Sequence, residues 1–256
     1  MFRPRVIPVL LLSGSGLVKT IKFKNPRYIG DPINAVKIFN DLKADELIFL
    51  DIESSKGKNN LLSLDIIQKI SEEAYMPFSF GGGITSLKQA KELIAIGVEK
   101  IIINTSAINN PSLITDCAKH FGSQSVVVSI DIKKNMFNNY KVYSQCGLKK
   151  TKLDALNWAK RAVNLGAGEI FINSINNDGT MLGYDLDIIS KISKNLPVPV
   201  IACGGAGSFN DLKLGFSKGN ANALAAGSLF IYHGRRKAVL INYPDNALLG
   251  QIIKND

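Results

Sequence analysis

The chain has 256 residues, 46% of them hydrophobic, which is enough for one large or two small domains with a sizeable core. It carries a net charge of +10 at pH 7, but the cations read as spread through helices and loops rather than gathered with aromatic residues. We therefore expect no nucleic-acid partner. Three cysteines and two histidines are too few and too scattered for a disulfide framework, a metal site or a Ser-His-Asp triad.

No apolar run reaches membrane-spanning length, and residues 1–6 lead into a strand pattern without the layout of a signal peptide. We therefore expect a cytoplasmic protein with no membrane partner. No linker-like or low-complexity segment divides the chain, which favours a single domain over residues 1–256.

Apolar, β-branched runs alternate with helical patterns along the chain, and their near-continuous apolarity predicts parallel strands covered on both faces. The predicted strands span residues 6–12, 47–51, 77–80, 101–104, 126–131, 170–173, 200–203 and 223–226. Between them, the helix signals are Asp31-Pro32, an apolar stripe from Leu62, Ser86, Asn110-Pro111, a stripe from Leu153, Asp185, Ser208 and a less periodic stretch from Arg235. Eight such pairs predict a (β/α)8 barrel.

The two halves of the chain repeat each other. The glycine clusters at 81–83 and 204–207 each end a short apolar strand and precede a helix cap. Residues 47–57 correspond to 170–179, and residues 100–108 correspond to 222–230. The barrel is therefore predicted to have a twofold half-barrel repeat. Long polar excursions at 13–30 and 133–150 follow the first and fifth strands, on the face where barrel enzymes bind substrate.

Polar residues follow the predicted strands at that same face. Any one of them is explained by chain turning or helix capping, but their symmetric arrangement favours two phosphate sites and a phosphorylated ligand. The candidate phosphate-binding residues are Gly83, Asn104 and Thr105 in one half, and Asp178, Gly179, Gly204, Gly205, Gly227 and Ser228 in the other. Asp51 and Ser174 are two further strand-end polar residues.

Asp131 ends an apolar strand, where a carboxylate is costly unless it is used or paired. It is the best candidate for a general acid or base, with a structural carboxylate as the alternative. The equivalent end of the first strand reads Leu10-Leu11-Leu12, so a second acid is missing there.

The opposite ends of the strands carry Arg5, Glu46, Lys100 and Glu169. Three of them stand five residues before Asp51, Thr105 and Ser174, so they belong to one layer at the bottom of the barrel. Two cations and two anions in one layer are able to form a ring of ion pairs, although solvated strand starts are often charged without any such role.

Over nearly its full length the chain resembles the cyclase subunit of imidazole glycerol phosphate synthase. The matching segments are residues 45–52, 81–84, 109–114, 121–124, 166–170, 178–180, 183–185 and 204–207. The resemblance implies a (β/α)8 barrel without a cofactor or metal, which accepts ammonia from a glutaminase docked at its bottom. The ammonia reacts at the top with a bisphosphorylated substrate to give imidazole glycerol phosphate and an aminoimidazole carboxamide ribotide.

Carried over residue by residue, the resemblance makes Arg5, Glu46, Lys100 and Glu169 an ammonia gate and Glu99 a contact to the glutaminase. Lys19 becomes the catalytic lysine of the first loop and Asp131 the catalytic aspartate of the fifth strand. The family's other catalytic aspartate falls on Leu11, which cannot transfer a proton. Losing such a group commonly costs about 10²–10⁴-fold in rate.

That loss, together with the unusual tail at 236–244, makes the chain similar to a paralogous branch of surface-sugar pathways. There, a glutaminase and this barrel supply ammonia to an ATP-using N-acetyl sugar amidotransferase that makes an acetamidino group. Two alternatives stay open: a histidine-pathway cyclase in which Ser13, Ser15 or Lys19 covers for Leu11, and a barrel that only activates its glutaminase.

Overall fold

Eight parallel strands form the core of the computed structural model, which describes residues 3–54, 64–136 and 139–253. Each strand is almost entirely buried, as its apolar sequence requires. The strands are β1 Arg5–Ser13, β2 Leu47–Asp51, β3 Phe78–Gly81, β4 Lys100–Ile103, β5 Val126–Lys134, β6 Glu169–Ser174, β7 Val200–Cys203 and β8 Ala223–Ala226.

The sheet closes on itself, with each strand paired to its sequence neighbours, β8 to β1, and β5 to β6. Across β5 and β6 the register sets Asn173 beside Asp131, and across β1 and β2 it sets Leu11 beside Leu50. Since all strands run in the same direction, their carboxyl ends meet at one rim. Helices connect successive strands, so the predicted (β/α)8 barrel is confirmed.

In the described part of the chain, seven helices of eight or more residues cover the barrel, each burying one apolar face against the strands. Asp31 caps the first through the amide of Asn34, and Ser208 forms a reciprocal capping box with Asp211, both as predicted. Asp185 occupies the cap position of the sixth, but its carboxylate accepts from the Tyr140 hydroxyl at 2.6 Å and makes no cap bond. The helices are α1 Pro32–Asp41, α2 Leu64–Glu73, α3 Leu87–Ala95, α4 Ser112–Phe121, α5 Ala155–Asn164, α6 Leu186–Ser193 and α7 Phe209–Ser217.

The predicted eighth helix from Arg235 is wrong. After a short helix at Ser228–Ile231, the chain forms a small antiparallel hairpin of Tyr232–His233 with Ala238–Val239 and a further short helix at Asn246–Leu249. Gly234 and Lys237 both have positive φ, which a helix cannot accommodate and a tight turn requires.

Both polar excursions form β-hairpins rather than irregular loops. Gly16–Ile21 pairs with β1 and with Lys24–Gly30, while Tyr140–Ser144 pairs with β5 and with Lys149–Lys150. A short helix at Thr105–Asn109 precedes Asn110, where the sequence predicted a helix start. Gly57, in the repeat segment, and Leu62, in the second helical pattern, lie outside the described residues.

The core has two layers because alternate strand residues face opposite sides of the sheet. One layer lies between strands and helices and contains Val36, Phe39 and Phe49 among many others. The other fills the barrel interior and consists of Ile7, Val9, Ile48, Ile102, Val127, Phe171, Ile201, Cys203, Ala223 and Ala225. In the described part of the chain, no helix combines the length and apolarity needed to cross a membrane.

Candidate functional site

A pocket of about 340 Å³ opens at the carboxyl ends of the strands, with both hairpins contributing to its wall. It brings together residues from both halves of the chain, as the half-barrel repeat predicted. The predicted residues that line it are Leu11, Lys19, Asp51, Gly83, Asn104, Thr105, Asp131, Asp178, Gly179, Gly204, Gly205, Gly227 and Ser228.

Asp131 lies in the wall of this pocket and is almost fully buried. Burial raises the pKa of its carboxyl to about 7, reinforced by the charge of Asp178 and opposed by hydrogen bonds from Asn104 and Ser129. The Asn104 amide donates to Asp131 Oδ2 at 2.8 Å. A carboxyl with a pKa near neutrality is suited to both giving and taking a proton, which is the behaviour of a general acid–base group.

The other two carboxylates in the pocket already accept hydrogen bonds, Asp51 from its own loop and Asp178 from the first hairpin. Asp51 accepts from the amides of Glu53 and Ser54 and from the Ser54 hydroxyl. Asp178 accepts from the Thr20 hydroxyl at 2.9 Å and from the amide of Phe23 at 3.1 Å, and burial raises its pKa. These bonds hold the first hairpin over the pocket, so Asp178 connects the wall of the pocket to the hairpin that covers it.

Leu11 lies on the pocket wall and packs with Leu50 against the apolar layer inside the barrel. The side chain therefore continues the hydrocarbon interior up to the pocket. Nothing in this position can transfer a proton, and neither Asp51 nor Asp178 is free of loop contacts to replace it. Among the described carboxylates of the pocket, Asp131 is therefore the one that is oriented by a side-chain hydrogen bond and accepts none from a backbone amide.

Lys19 extends from the first hairpin into the pocket and is buried there. Its Nζ donates to the carbonyl of Val9 at 2.9 Å, and a Cβ on Gly227 would lie 1.9 Å from that nitrogen. Burial lowers the pKa of Lys19, with Asp178 and Cys203 acting in the opposite direction. The ammonium thus lies against Gly227 and Ser228, within one of the two predicted phosphate sites.

Glycines in both predicted phosphate sites adopt conformations that other residues rarely take, although Gly227, with a φ of −103°, does not. Gly83, Gly204 and Gly205 have positive φ, and a Cβ on Gly205 would lie 2.1 Å from the carbonyl oxygen of Gly183. The turn alone therefore accounts for glycine at these positions. In the other half, Thr105 Oγ1 accepts from the amide of Gln145 in the second hairpin.

Two buried acceptors in the pocket have no hydrogen-bond partner among the residues that the structure describes, Asn104 Oδ1 and Asn173 Oδ1. Each belongs to a strand end beside Asp131, and a buried polar atom without a partner is costly. A ligand that carries N–H or O–H donors would satisfy both. Asn173 is the last residue of the predicted strand at 170–173, and its lack of a partner became visible only with the surrounding strands in place.

At the opposite end of the barrel, Arg5, Glu46, Lys100 and Glu169 form a closed ring. Arg5 pairs with Glu46 and, at 2.9 Å, with Glu169, while Lys100 pairs with Glu46 at 3.3 Å and with Glu169 at 3.2 Å. Ser79 also donates to Glu46. Glu169 Oε2 is buried without a partner. The interpretation of these charges as merely solvated strand starts is therefore wrong.

Two further predicted residues lie outside both groups. Glu99 is exposed directly before β4, next to the ring residue Lys100. Ser174 is buried, and its carbonyl accepts from the amides of Asn177 and Asp178, which stabilises the turn that carries Asp178. In the described residues, no group of three or more His, Cys, Asp or Glu is placed to hold a metal ion.

Known proteins of one family resemble this chain over nearly its whole length. A family model described as "Histidine biosynthesis protein" matches residues 5–236. Two relatives are named "Putative imidazole glycerol phosphate synthase subunit": hisF2 of Pseudomonas aeruginosa, 49% identical over 96% of this chain and 97% of its own, and HisF of Leptospira borgpetersenii, 50% identical over 96% of each. The imidazole glycerol phosphate synthase subunit HisF of Alkaliphilus metalliredigens is 44% identical over 91% of this chain and 92% of its own. The chain belongs to the histidine biosynthesis protein family, among the HisF-type cyclase subunits of imidazole glycerol phosphate synthase.

Proposed function

We propose that this chain is the ammonia-accepting barrel of a glutamine-dependent amidotransferase, with a glutaminase docked at the Arg5–Glu46–Lys100–Glu169 ring. The closed ring is the observation that carries the proposal. Removing charged side chains from water costs desolvation free energy, which their pairing does not always recover. We therefore infer that a ring of such side chains at the end of the barrel has a functional role. Exposed Glu99 beside Lys100 belongs to the proposed glutaminase contact.

The interior above the ring supports passage of neutral ammonia rather than of ammonium. The side chains between the ring and the pocket are apolar, and several of them, including Ala223 and Ala225, are small. An ion entering such an interior loses its hydration without compensation, whereas neutral ammonia does not carry this cost. The unpartnered Glu169 Oε2 at the lower end offers an acceptor to an entering N–H.

At the upper end, Asp131 and the free acceptors of Asn104 and Asn173 form the proposed point of arrival. A carboxyl with a pKa of about 7 is able to take a proton from a nitrogen nucleophile or to return one. Lys19 and the glycine turns of both halves would hold phosphate groups on either side of this point.

The proposed acceptor of the ammonia is an N-acetyl sugar, converted to an acetamidino sugar by an ATP-using amidotransferase in a surface-polysaccharide pathway. Leu11 favours this reading, because the wall opposite Asp131 contains hydrocarbon where cyclisation would use a second acid. In this scheme the barrel delivers ammonia and the partner enzyme performs the group transfer.

A working cyclase is the second candidate, favoured by one specific observation. Asp131 keeps a pKa near neutrality, and the full set of predicted phosphate residues lines the same pocket. The direct test mixes the purified chain with ammonium salt and the ribulosyl aminoimidazole carboxamide substrate. Ammonia delivery alone predicts negligible turnover, and turnover at the rate of a HisF enzyme would replace the first proposal by the second.

The ring itself is tested with Lys100→Met in the complex with the glutaminase. Under the proposal, glutamine hydrolysis continues while transfer of its ammonia to the acceptor falls at least about tenfold, and transfer from added ammonium is unchanged. The matched control is Lys37→Met, which breaks a surface ion pair with Glu73 at 3.7 Å far from the barrel axis. Equal ammonia transfer by the two variants would refute the role of the ring as a gate. If no acceptor ever receives the ammonia, the barrel acts only as an activator of the glutaminase.

A further inference from the structure

The net positive charge of the chain lies entirely in two segments, residues 13–30 and 133–152, which we call the two basic hairpins. Together they contain ten of the 31 Lys and Arg residues and none of the 21 Asp and Glu residues. The remaining 21 cations and 21 acids balance, so the rest of the chain is neutral. The cations are spread through helices and loops, but their excess over the acids is confined to these two segments.

The two basic hairpins flank the mouth of the pocket on the same face of the barrel. They follow β1 and β5 at their carboxyl ends, and Phe23 from one and Cys146 from the other line the pocket. A Cβ on Gly147 would lie 3.1 Å from the Phe23 ring, so the hairpins contact each other. They form one continuous basic rim rather than two separate patches.

Most of these cations point into solvent. Lys22, Lys24, Arg27, Lys133, Lys149, Lys150 and Lys152 are exposed. Of the ten, only Lys134 joins a salt bridge within the described residues, at 3.6 Å from Asp187. Lys19 is buried in the pocket. The rim therefore presents uncompensated positive charge at some distance outside the pocket, beyond what one bound phosphate would contact.

Large apolar side chains are exposed among the same cations. Met136 is 95% exposed, Leu148 75% and Tyr28 72%, and Leu182, in the loop after β6, is 86% exposed. A small anion in the pocket gains nothing from these side chains. Exposed apolar side chains surrounded by charged residues are typical of a protein–protein interface.

We propose that the two basic hairpins, with Leu182, form a docking surface for a protein partner with an acidic face, namely the enzyme that consumes the delivered ammonia. This inference rests on the proposed function, since it gives the acceptor enzyme a place over the pocket mouth. Charge complementarity selects an acidic partner and excludes a second copy of this chain, whose own rim is equally basic. A seated partner would also separate the pocket from bulk water, where ammonia would be protonated and lost.

The test compares two triple charge reversals in the full-length chain bound to its glutaminase. Lys149→Glu/Lys150→Glu/Lys152→Glu changes the rim, and Lys88→Glu/Lys91→Glu/Lys160→Glu makes the same charge change on exposed positions of α3 and α5. The probe is the purified N-acetyl sugar amidotransferase of the proposed function, and binding is measured by biolayer interferometry. We expect the rim variant to bind at least about tenfold more weakly, and the helix variant within about twofold of the parent.

The apolar anchors have their own matched pair. Leu148→Ser removes a side chain 75% exposed on the rim, and Ile38→Ser removes one 40% exposed on the outside of α1, which belongs neither to the rim nor to the ring. We expect weaker binding of the amidotransferase by about fivefold in the first variant and no change in the second. Glutaminase affinity should be the same in all four variants.

Each contrary result has a distinct meaning. Equal binding by the rim and helix variants overturns the docking surface but leaves ammonia delivery standing. Failure of the parent complex to bind or supply the amidotransferase overturns both. If the rim variant shows only a lower turnover of the bisphosphorylated ribulosyl substrate, the rim attracts a small anion instead. If the rim variant binds the glutaminase more weakly, the surface belongs to the contact with that subunit. Either result overturns the docking proposal.

Discussion

At the residue scale, the chemistry that we propose for the pocket depends on one carboxyl in an apolar wall. Asp131 is buried between Asn104 and Ser129, and the opposite strand contributes Leu11. The other carboxylates accept hydrogen bonds, Asp51 from its own loop and Asp178 from the first hairpin. A single carboxyl that is half protonated near pH 7 suits one proton transfer, whereas an acid–base pair would need a second partner.

Leu11→Asp tests whether that second acid is all that cyclisation lacks. The new carboxylate would stand on β1, across the pocket from Asp131, and we expect ammonium-dependent cyclisation to rise by about 10²-fold over the parent. Turnover is measured with saturating ammonium salt. Leu11→Asn, similar in shape but unable to transfer a proton, is the control. A folded, ligand-binding Leu11→Asp variant without any gain would contradict this account.

Asp131→Asn is expected to stabilise the protein at alkaline pH. Because the folded-state pKa of about 7 exceeds the ordinary value of 3.8, the folded protein retains this proton longer than the unfolded chain. Stability from this group is therefore lost as pH rises from about 4 to about 7. We expect the variant to gain at least about 2 °C in Tm at pH 8, and less at pH 5, by thermal unfolding.

Asp41→Asn, at an exposed position near the end of α1, is the control for that measurement. It should leave the difference in Tm between pH 5 and pH 8 unchanged. A pH dependence of stability that is identical in Asp131→Asn and in the parent would mean that the carboxyl is not held in a costly environment.

At the element scale, the first hairpin is a cover that pairs with the end of β1 and is joined to the pocket by a few further hydrogen bonds. Thr20 and Phe23 donate to Asp178, Lys22 donates its amide to the Asp178 carbonyl at 2.9 Å, and Lys19 reaches the carbonyl of Val9. The outer strand of the hairpin, Lys24–Gly30, is largely exposed and pairs, among the described strands, only with Gly16–Ile21. The hairpin is therefore expected to open at lower cost than the barrel beneath it.

Thr20→Val is expected to loosen this cover while keeping its shape. It removes the 2.9 Å hydrogen bond to Asp178, worth about 1 kcal/mol, so opening should become about fivefold more frequent. The measurement is amide hydrogen exchange of the hairpin strands. Thr151→Val, which removes a hydrogen bond to the carbonyl of Val142 in the other hairpin, should leave that exchange unchanged.

At the scale of the whole molecule, the barrel is closed twice, by the pairing of β8 with β1 and by its C-terminal segment. Tyr243 packs against Phe230 and donates its hydroxyl to the Val6 carbonyl at 2.8 Å, while accepting from the Asp45 amide at 3.2 Å. The tail therefore connects the last strand region to the beginning of β1, in place of the expected eighth helix.

Tyr243→Phe is expected to lower global stability by about 1–3 kcal/mol, because it leaves the buried Val6 carbonyl and the partly buried Asp45 amide without their partner. Urea unfolding with an unchanged slope would report it as a shift in midpoint. Tyr75→Phe removes a hydroxyl from a residue 86% exposed and should have no effect. Equal midpoints for both variants would show that the tail does not contribute to closure.

The barrel, its eight strands and most helix caps could be read from the sequence, because they follow from local patterns. Apolar runs such as residues 126–131 have to be buried on both sides, and Ser208 with Asp211 makes a cap whatever surrounds it. The prediction of an eighth helix was wrong because the weak helical periodicity around Arg235 is outweighed by the turn at Gly234 and Lys237 and by the hydrogen bond of Tyr243 to β1.

Residue identity alone established the apolar Leu11, the lone Asp131 and four charges at strand starts, since each is a property of one position and its neighbours along the chain. Only the closed barrel determined that Arg5, Glu46, Lys100 and Glu169 meet as a ring, that Asn104 and Asn173 keep free acceptors, and that both basic hairpins border one pocket. The physical reason is that hydrogen bonding, burial and pKa depend on groups far apart in sequence, which strand register and closure bring within a few ångströms of each other.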